Sequence, residues 1–199
     1  MSQPQTIELS RKEQERLPRS TGVEAALEKA IATASVQFNA LSTYDKELDT
    51  ALTLCGKVAL SLVSETDNLI LALPARIARG GWSVGDPGAA ISDRAIVART
   101  EPGLVLTLQD RAIVAWTVGT FRIKYFARAL PYSSVKTTIH RLFTGRYTGM
   151  VQVEAMETWT FWLPTMFQNQ SIVRTLASNF LGEDVESGAT VEPAIQANQ

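Results

Sequence analysis

Residues able to do acid–base, nucleophilic or metal chemistry are few in this chain and do not cluster. His140 is the only histidine and Cys55 the only cysteine. A zinc site needs several nitrogen or sulfur ligands, and a serine or cysteine nucleophile needs a base with a third group to orient it. One histidine and one cysteine supply neither set, and a lone cysteine allows no disulfide within the chain. Gly80-Gly81-Trp82-Ser83-Val84-Gly85 is glycine-rich, but it lacks the Lys-Ser/Thr ending of a phosphate-cradling loop. Glu154 and Glu157 flank an expected hairpin turn and read as solvated. The expectation is a protein that is not an enzyme, with no catalytic residues, no cofactor and no metal.

The cations offer more. Arg76, Arg79, Arg122, Lys124, Arg128, Arg141 and Arg146 fall on expected strands or the loops beside them. Arg122 and Lys124 share a face if 121–130 is a regular strand. Arg76, Arg79, Arg122, Lys124, Arg128 and Arg146 form the candidate set for an anionic ligand or lipid, although a solvated strand face accounts for the same residues. Trp162, on the opposite side of its strand from Phe161, is the candidate partner-binding residue.

Charge is unevenly spread: residues 1–73 carry −3, 74–182 carry +6 and 183–199 carry −4, for a net −1. A basic middle between acidic ends is compatible with anionic partners. The sequence pI near 5.9 argues against nucleic acid. The longest apolar runs are far shorter than the roughly 20 residues a membrane-spanning helix needs. The N-terminus lacks the apolar core of a signal peptide, so the expected place is the cytoplasm, with a membrane-peripheral location open.

The elements that must hold these residues fall into four regions. Residues 1–20 are polar, charged and aperiodic, and are expected to be disordered. From 21 to 65 the apolar spacing is helical. Val23, Ala26, Leu27, Ala30, Ile31 and Ala34 mark a first stripe, and Leu48, Ala51, Leu52, Cys55, Ala59 and Leu62 a second. Thr21 with Glu24 makes a candidate capping box, and the two stripes suit a helical hairpin. Gly56 costs about 1 kcal/mol relative to Ala in a helix and marks a possible kink. Between 66 and 182, short β-branched and aromatic runs separated by turn residues read as strands. They fall at 68–77, 104–108, 112–118, 121–130, 134–143, 150–156 and 158–163, and an apolar stripe follows from Pro164 to a stop at Gly182. Residues 183–199 read as a disordered acidic tail. Asp93-Arg94-Ala95-Ile96-Val97-Ala98 recurs as Asp110-Arg111-Ala112-Ile113-Val114-Ala115. The preferred account is two strands, each opened by an Asp-Arg turn, with Glu101-Pro102-Gly103 between.

The segment from Leu104 to Trp116, with Leu-Thr, then Asp-Arg, then an apolar strand, resembles the bacterial PH-like families of the pleckstrin-homology superfold. Leu130-Pro131-Tyr132-Ser133-Ser134-Val135 is similar to the stretch that follows in those families, and Trp159 to Leu163 and the final helix fall in the matching order. The resemblance covers roughly 68–182. Gln109 before Asp110, and the glycine-rich insert between Arg79 and Ala90, depart from the family pattern. It implies an α+β fold: a PH-like antiparallel barrel of about seven strands capped by a C-terminal helix, here preceded by the helical hairpin. The function it implies is a binding or scaffold module acting through a protein partner or self-association. The alternative is a peripheral module on anionic lipid.

Overall fold

Near-continuous apolar runs, rather than clean alternation, mark the centre of the chain, and a strand tolerates such a run only when both of its faces are covered. The computed structural model describes residues 6–18, 20–38, 42–80, 94, 100–132, 136–144, 147–154 and 158–164. In it, β2 (Leu69–Arg79) is buried at every position from Leu71 to Ala75. β3 (Glu101–Leu108) is buried from Gly103 onward, and β4 (Arg111–Val118) from Ala112 to Thr117. The fold is α+β, with helices against a curled antiparallel sheet.

Eight strands make up that sheet among the described residues, in the order β1-β5-β4-β3-β2-β8-β7-β6. β1 is Thr6–Ser10, β5 Lys124–Pro131, β6 Lys136–Thr144, β7 Tyr147–Glu154 and β8 Thr158–Pro164. β2 to β5 form one meander and β6 to β8 another, joined where β2 pairs with β8 from Arg76↔Trp162 to Arg79↔Trp159.

The eighth strand comes from the segment expected to be loosely held. Thr6–Ser10 pairs with β5 from Arg128 to Lys124, with Ile7 and Leu9 packed against the core. The short α1 (Arg11–Glu15) follows, and a capping box forms here: Ser10 accepts from the Glu13 amide while the Glu13 carboxylate accepts from Ser10. At the expected capping box the outcome differs. Thr21 lies inside α2 (Thr21–Phe38), and Ser20, one residue earlier, donates its hydroxyl to Glu65 at 2.6 Å.

The second helical stripe is α3 (Ser42–Ala51), a π-helical turn at Leu52–Gly56 and α4 (Lys57–Leu60). The irregularity expected at Gly56 thus takes the form of a wider turn. α2 lies on β2, α3 on β2 and β3, the π-turn on β3 and β4, and α4 on β4 and β5. Val23, Ala30, Leu48, Cys55, Val58 and Ala59 share one hydrophobic cluster with the strands. Gln14 of α1, buried, donates to the Leu54 carbonyl at 3.2 Å and ties the N-terminal segment to the π-turn.

Several strand limits shift. The strand expected from Phe121 begins at Lys124, because Gly119 adopts φ 101° and a Cβ there would lie 2.7 Å from the Arg122 carbonyl oxygen, so 119–123 turns the chain. Glu101-Pro102-Gly103, expected to separate two strands, belongs to β3. Gly103 is required: a Cβ would meet Ile77 Cδ1 at 2.1 Å and the Ala115 carbonyl at 2.6 Å. Of the first Asp-Arg copy only Arg94 is described; the strand expected after it lies outside the described residues, as do the expected C-terminal helix and acidic tail.

Candidate functional site

Strand register decides which of the candidate cations share a face. Trp116 pairs with Gly103 and Phe126, and Gly103 with Ala75. Counting by twos along each strand puts Arg79, Lys124 and Arg128 on the face of Trp116 and Arg76 on the opposite face. Arg122 belongs to the β4–β5 turn, so it does not share a strand face with Lys124. Arg146 and the side chains of Arg141, His140 and Trp162 lie outside the described residues; the Trp162 backbone pairs with Arg76 and Met150.

Most of the described candidates are engaged within the fold. Arg76, half-buried, donates through Nε to Thr100 Oγ1 at 3.0 Å and through Nη2 to the Thr100 carbonyl. Lys124 Nζ meets Glu8 Oε1 at 2.6 Å, an ion pair with side chains 61% and 52% exposed, where solvent leaves well under about 1 kcal/mol. Arg128 is buried, its guanidinium 5.6 Å from the Trp159 ring centroid. Of the described candidates, only Arg79 and Arg122 are exposed without an ion pair.

Arg79 is held by aromatic rings that the charge pattern did not single out. Trp116 stacks on Phe126 at 5.2 Å between centroids with 8° between planes, and meets Trp159 edge-on at 4.9 Å. The Arg79 guanidinium lies 5.3 Å from the Trp116 centroid and 5.9 Å from that of Phe126. Both distances fall within cation–π range. An open cleft of about 340 Å³ adjoins it, lined by Ile77, Arg79, Gly80, Glu101, Trp116 and Val118. The signal that could have found it was in the alternation: β2 ends on Arg79 at a position facing the same way as Trp116.

The Asp-Arg turn has a different task. Arg111 Nη1 donates to Asp110 Oδ1 at 2.8 Å, and Nη2 donates to Asp67 Oδ2 at 2.5 Å. The same Asp67 oxygen accepts the Ser64 amide at 2.8 Å. Burial by itself would raise the Asp67 carboxyl, but the Ser64 amide and the Arg111 guanidinium outweigh it and hold it below the usual carboxylate range. Tyr132 completes the corner, its amide donating to the Asp110 carbonyl at 3.1 Å and its hydroxyl to the Leu108 carbonyl at 2.9 Å. Asp67 was not foreseen as Arg111's partner, since 44 residues separate them. This corner locks the helix exit to the β3–β4 turn, and its polar groups face each other.

Cys55 is fully buried, and burial pushes its thiol up to about 12, so it is neither a thiolate nor a ligand at neutral pH. No group of three or more His, Cys, Asp or Glu that could hold a metal occurs among the described residues. No described helix is long and apolar enough to cross a membrane. Neither family models nor the curated proteins give a match to this chain.

Proposed function

We propose that this chain is a non-enzymatic binding module of PH-like build, working in the cytoplasm through protein–protein contact or self-association. The observation that carries the reading is the strand order. With β1 set aside, β5-β4-β3-β2-β8-β7-β6 is what results when consecutive hairpins curl until the first and last strands of the run meet. That is the open-barrel build to which the Leu-Thr, Asp-Arg and Leu-Pro-Tyr resemblance points. The order also leaves β6 an edge strand, paired with β7 alone among the described residues. An edge of this kind is a template for a strand from another chain.

The test is the assembly state of the full chain, by sedimentation velocity across a concentration series, for wild type and for Thr137→Pro and Thr138→Pro. Neighbouring residues of a strand direct their N–H groups to opposite edges, so one of the two variants blocks the outer edge while sparing the β6–β7 ladder. That variant is expected to stay folded by circular dichroism and to lose association. If both variants stay folded and assemble as wild type does, β6 is not the contact.

The second reading, peripheral binding to anionic lipid, is favoured by the β4–β5 turn. Phe121 there is fully exposed beside the exposed Arg122, and an aromatic with adjacent cations suits a charged membrane surface. Flotation with anionic vesicles that falls with salt and is abolished by Arg122→Glu with Lys124→Glu supports it. Salt-insensitive or absent flotation rejects it.

A further inference from the structure

We propose that the cleft at the ends of β2, β3 and β4 binds a small zwitterion of amino-acid type. Its carboxylate would sit on Arg79, its ammonium group toward Glu101, and its side chain against Ile77, Trp116 and Val118. This does not rest on the protein-contact reading, which concerns the β6 edge.

Two observations carry it. First, Arg79 makes no ion pair with a described residue. Its guanidinium lies over Trp116 and Phe126 at 5.3 and 5.9 Å from the ring centroids, within cation–π range. A guanidinium without an ion pair can take two oxygens of one carboxylate. Second, Glu101 lines the same cleft and also has no ion pair among the described residues. Two opposite charges that share a cleft without pairing with each other match a ligand bearing both. The carboxylate also repels a second negative charge, which disfavours phosphate esters and polyphosphates. Trp116, 2% exposed, also lines the cleft, so its indole reports on a ligand bound beside Arg79. The volume of about 340 Å³ lies at the lower end of the range for small-molecule sites.

The experiment is two-dimensional ¹H–¹⁵N NMR on the full chain, following the indole signals of its four tryptophans, with Trp116→Phe used to assign one. The probes are L-leucine and L-phenylalanine, with 4-methylpentanoate (no ammonium) and 3-methylbutylamine (no carboxylate) as controls. The expected result is a saturable shift of the Trp116 indole with an amino acid, and affinities lower by ~10-fold or more for both controls. Arg79→Gln is expected to lower amino-acid affinity by a similar factor while the other indole signals stay in place. Glu101→Gln is expected to erase the preference for leucine over 4-methylpentanoate. Silence of the Trp116 indole toward both amino acids at millimolar concentration overturns the proposal. So does equal affinity for leucine, 4-methylpentanoate and inorganic phosphate in the wild type, which would make the cleft a general anion site.

Discussion

Arg111 and Arg79 are the same residue type near the two ends of one sheet, and they differ in what their N–H groups meet. Arg111 finds Asp110 and Asp67 and is only 22% exposed along its side chain. Arg79 finds aromatic rings and an open cleft. An arginine whose Nη groups both meet carboxylates of the fold works as a rivet. One that lies over aromatic rings without an ion pair is where we propose a ligand. Charge alone cannot separate the two cases; the supply of acceptors does.

The comparison predicts a large loss of stability on one side and a small one on the other. Arg111→Ala strands Asp67 in a half-buried position and is expected to cost about 3 kcal/mol, measured by urea unfolding. A loss below about 1 kcal/mol would remove the rivet from the account. Asp67→Asn is expected to cost about 1–3 kcal/mol at neutral pH, with a telling pH dependence. The folded-state pKa of Asp67 is depressed. Its contribution is therefore complete above the unfolded-state value near ~3.9 and fades as pH falls through the lower folded-state value. Wild type and Asp67→Asn should therefore converge in stability on acidification below about pH 4; a gap that stays constant would assign the effect to something other than this carboxylate.

Tyr132→Phe removes only the hydroxyl donated to Leu108 and is expected to cost about 1 kcal/mol. Arg79→Gln should cost less still, since cation–π contact at an exposed guanidinium contributes ~0.5–1 kcal/mol. If it destabilises as much as Arg111→Ala, the two arginines do not differ in the way proposed. In all of these variants the buried Cys55 thiol serves as a reporter. Alkylation should be slow in the folded chain and should accelerate about tenfold for each ~1.4 kcal/mol of stability lost.

Much of the strand content was legible because β-branched and aromatic runs are punctuated by turn residues. β4 and β8 lie within one residue of where periodicity put them. The Asp-Arg turn was legible for the same reason, since Asp110 and Arg111 interact across one peptide bond. The N-terminal strand was not legible. Thr6–Ser10 alternates exposed and half-buried positions too briefly to stand out, and it becomes a strand only because the β5 edge offers a ladder. The candidate cations could be named from sequence but not sorted, because sorting needs Thr100 beside Arg76 and Glu8 beside Lys124, partners 24 and 116 residues away.

The repeated hexapeptide marks the boundary between the two kinds of information. Sequence by itself determined that the chain would make hairpins, where most would turn, and that helices with one apolar stripe must cover something. Those outcomes depend on periodicity and on backbone preferences spanning a few residues. Only the tertiary structure decided what holds the copy of Asp-Arg that opens a strand at Arg111. Identical letters have identical local preferences. The second copy is fixed by Asp67, Tyr132 and the strands on either side, contacts that exist only once distant segments have been brought together.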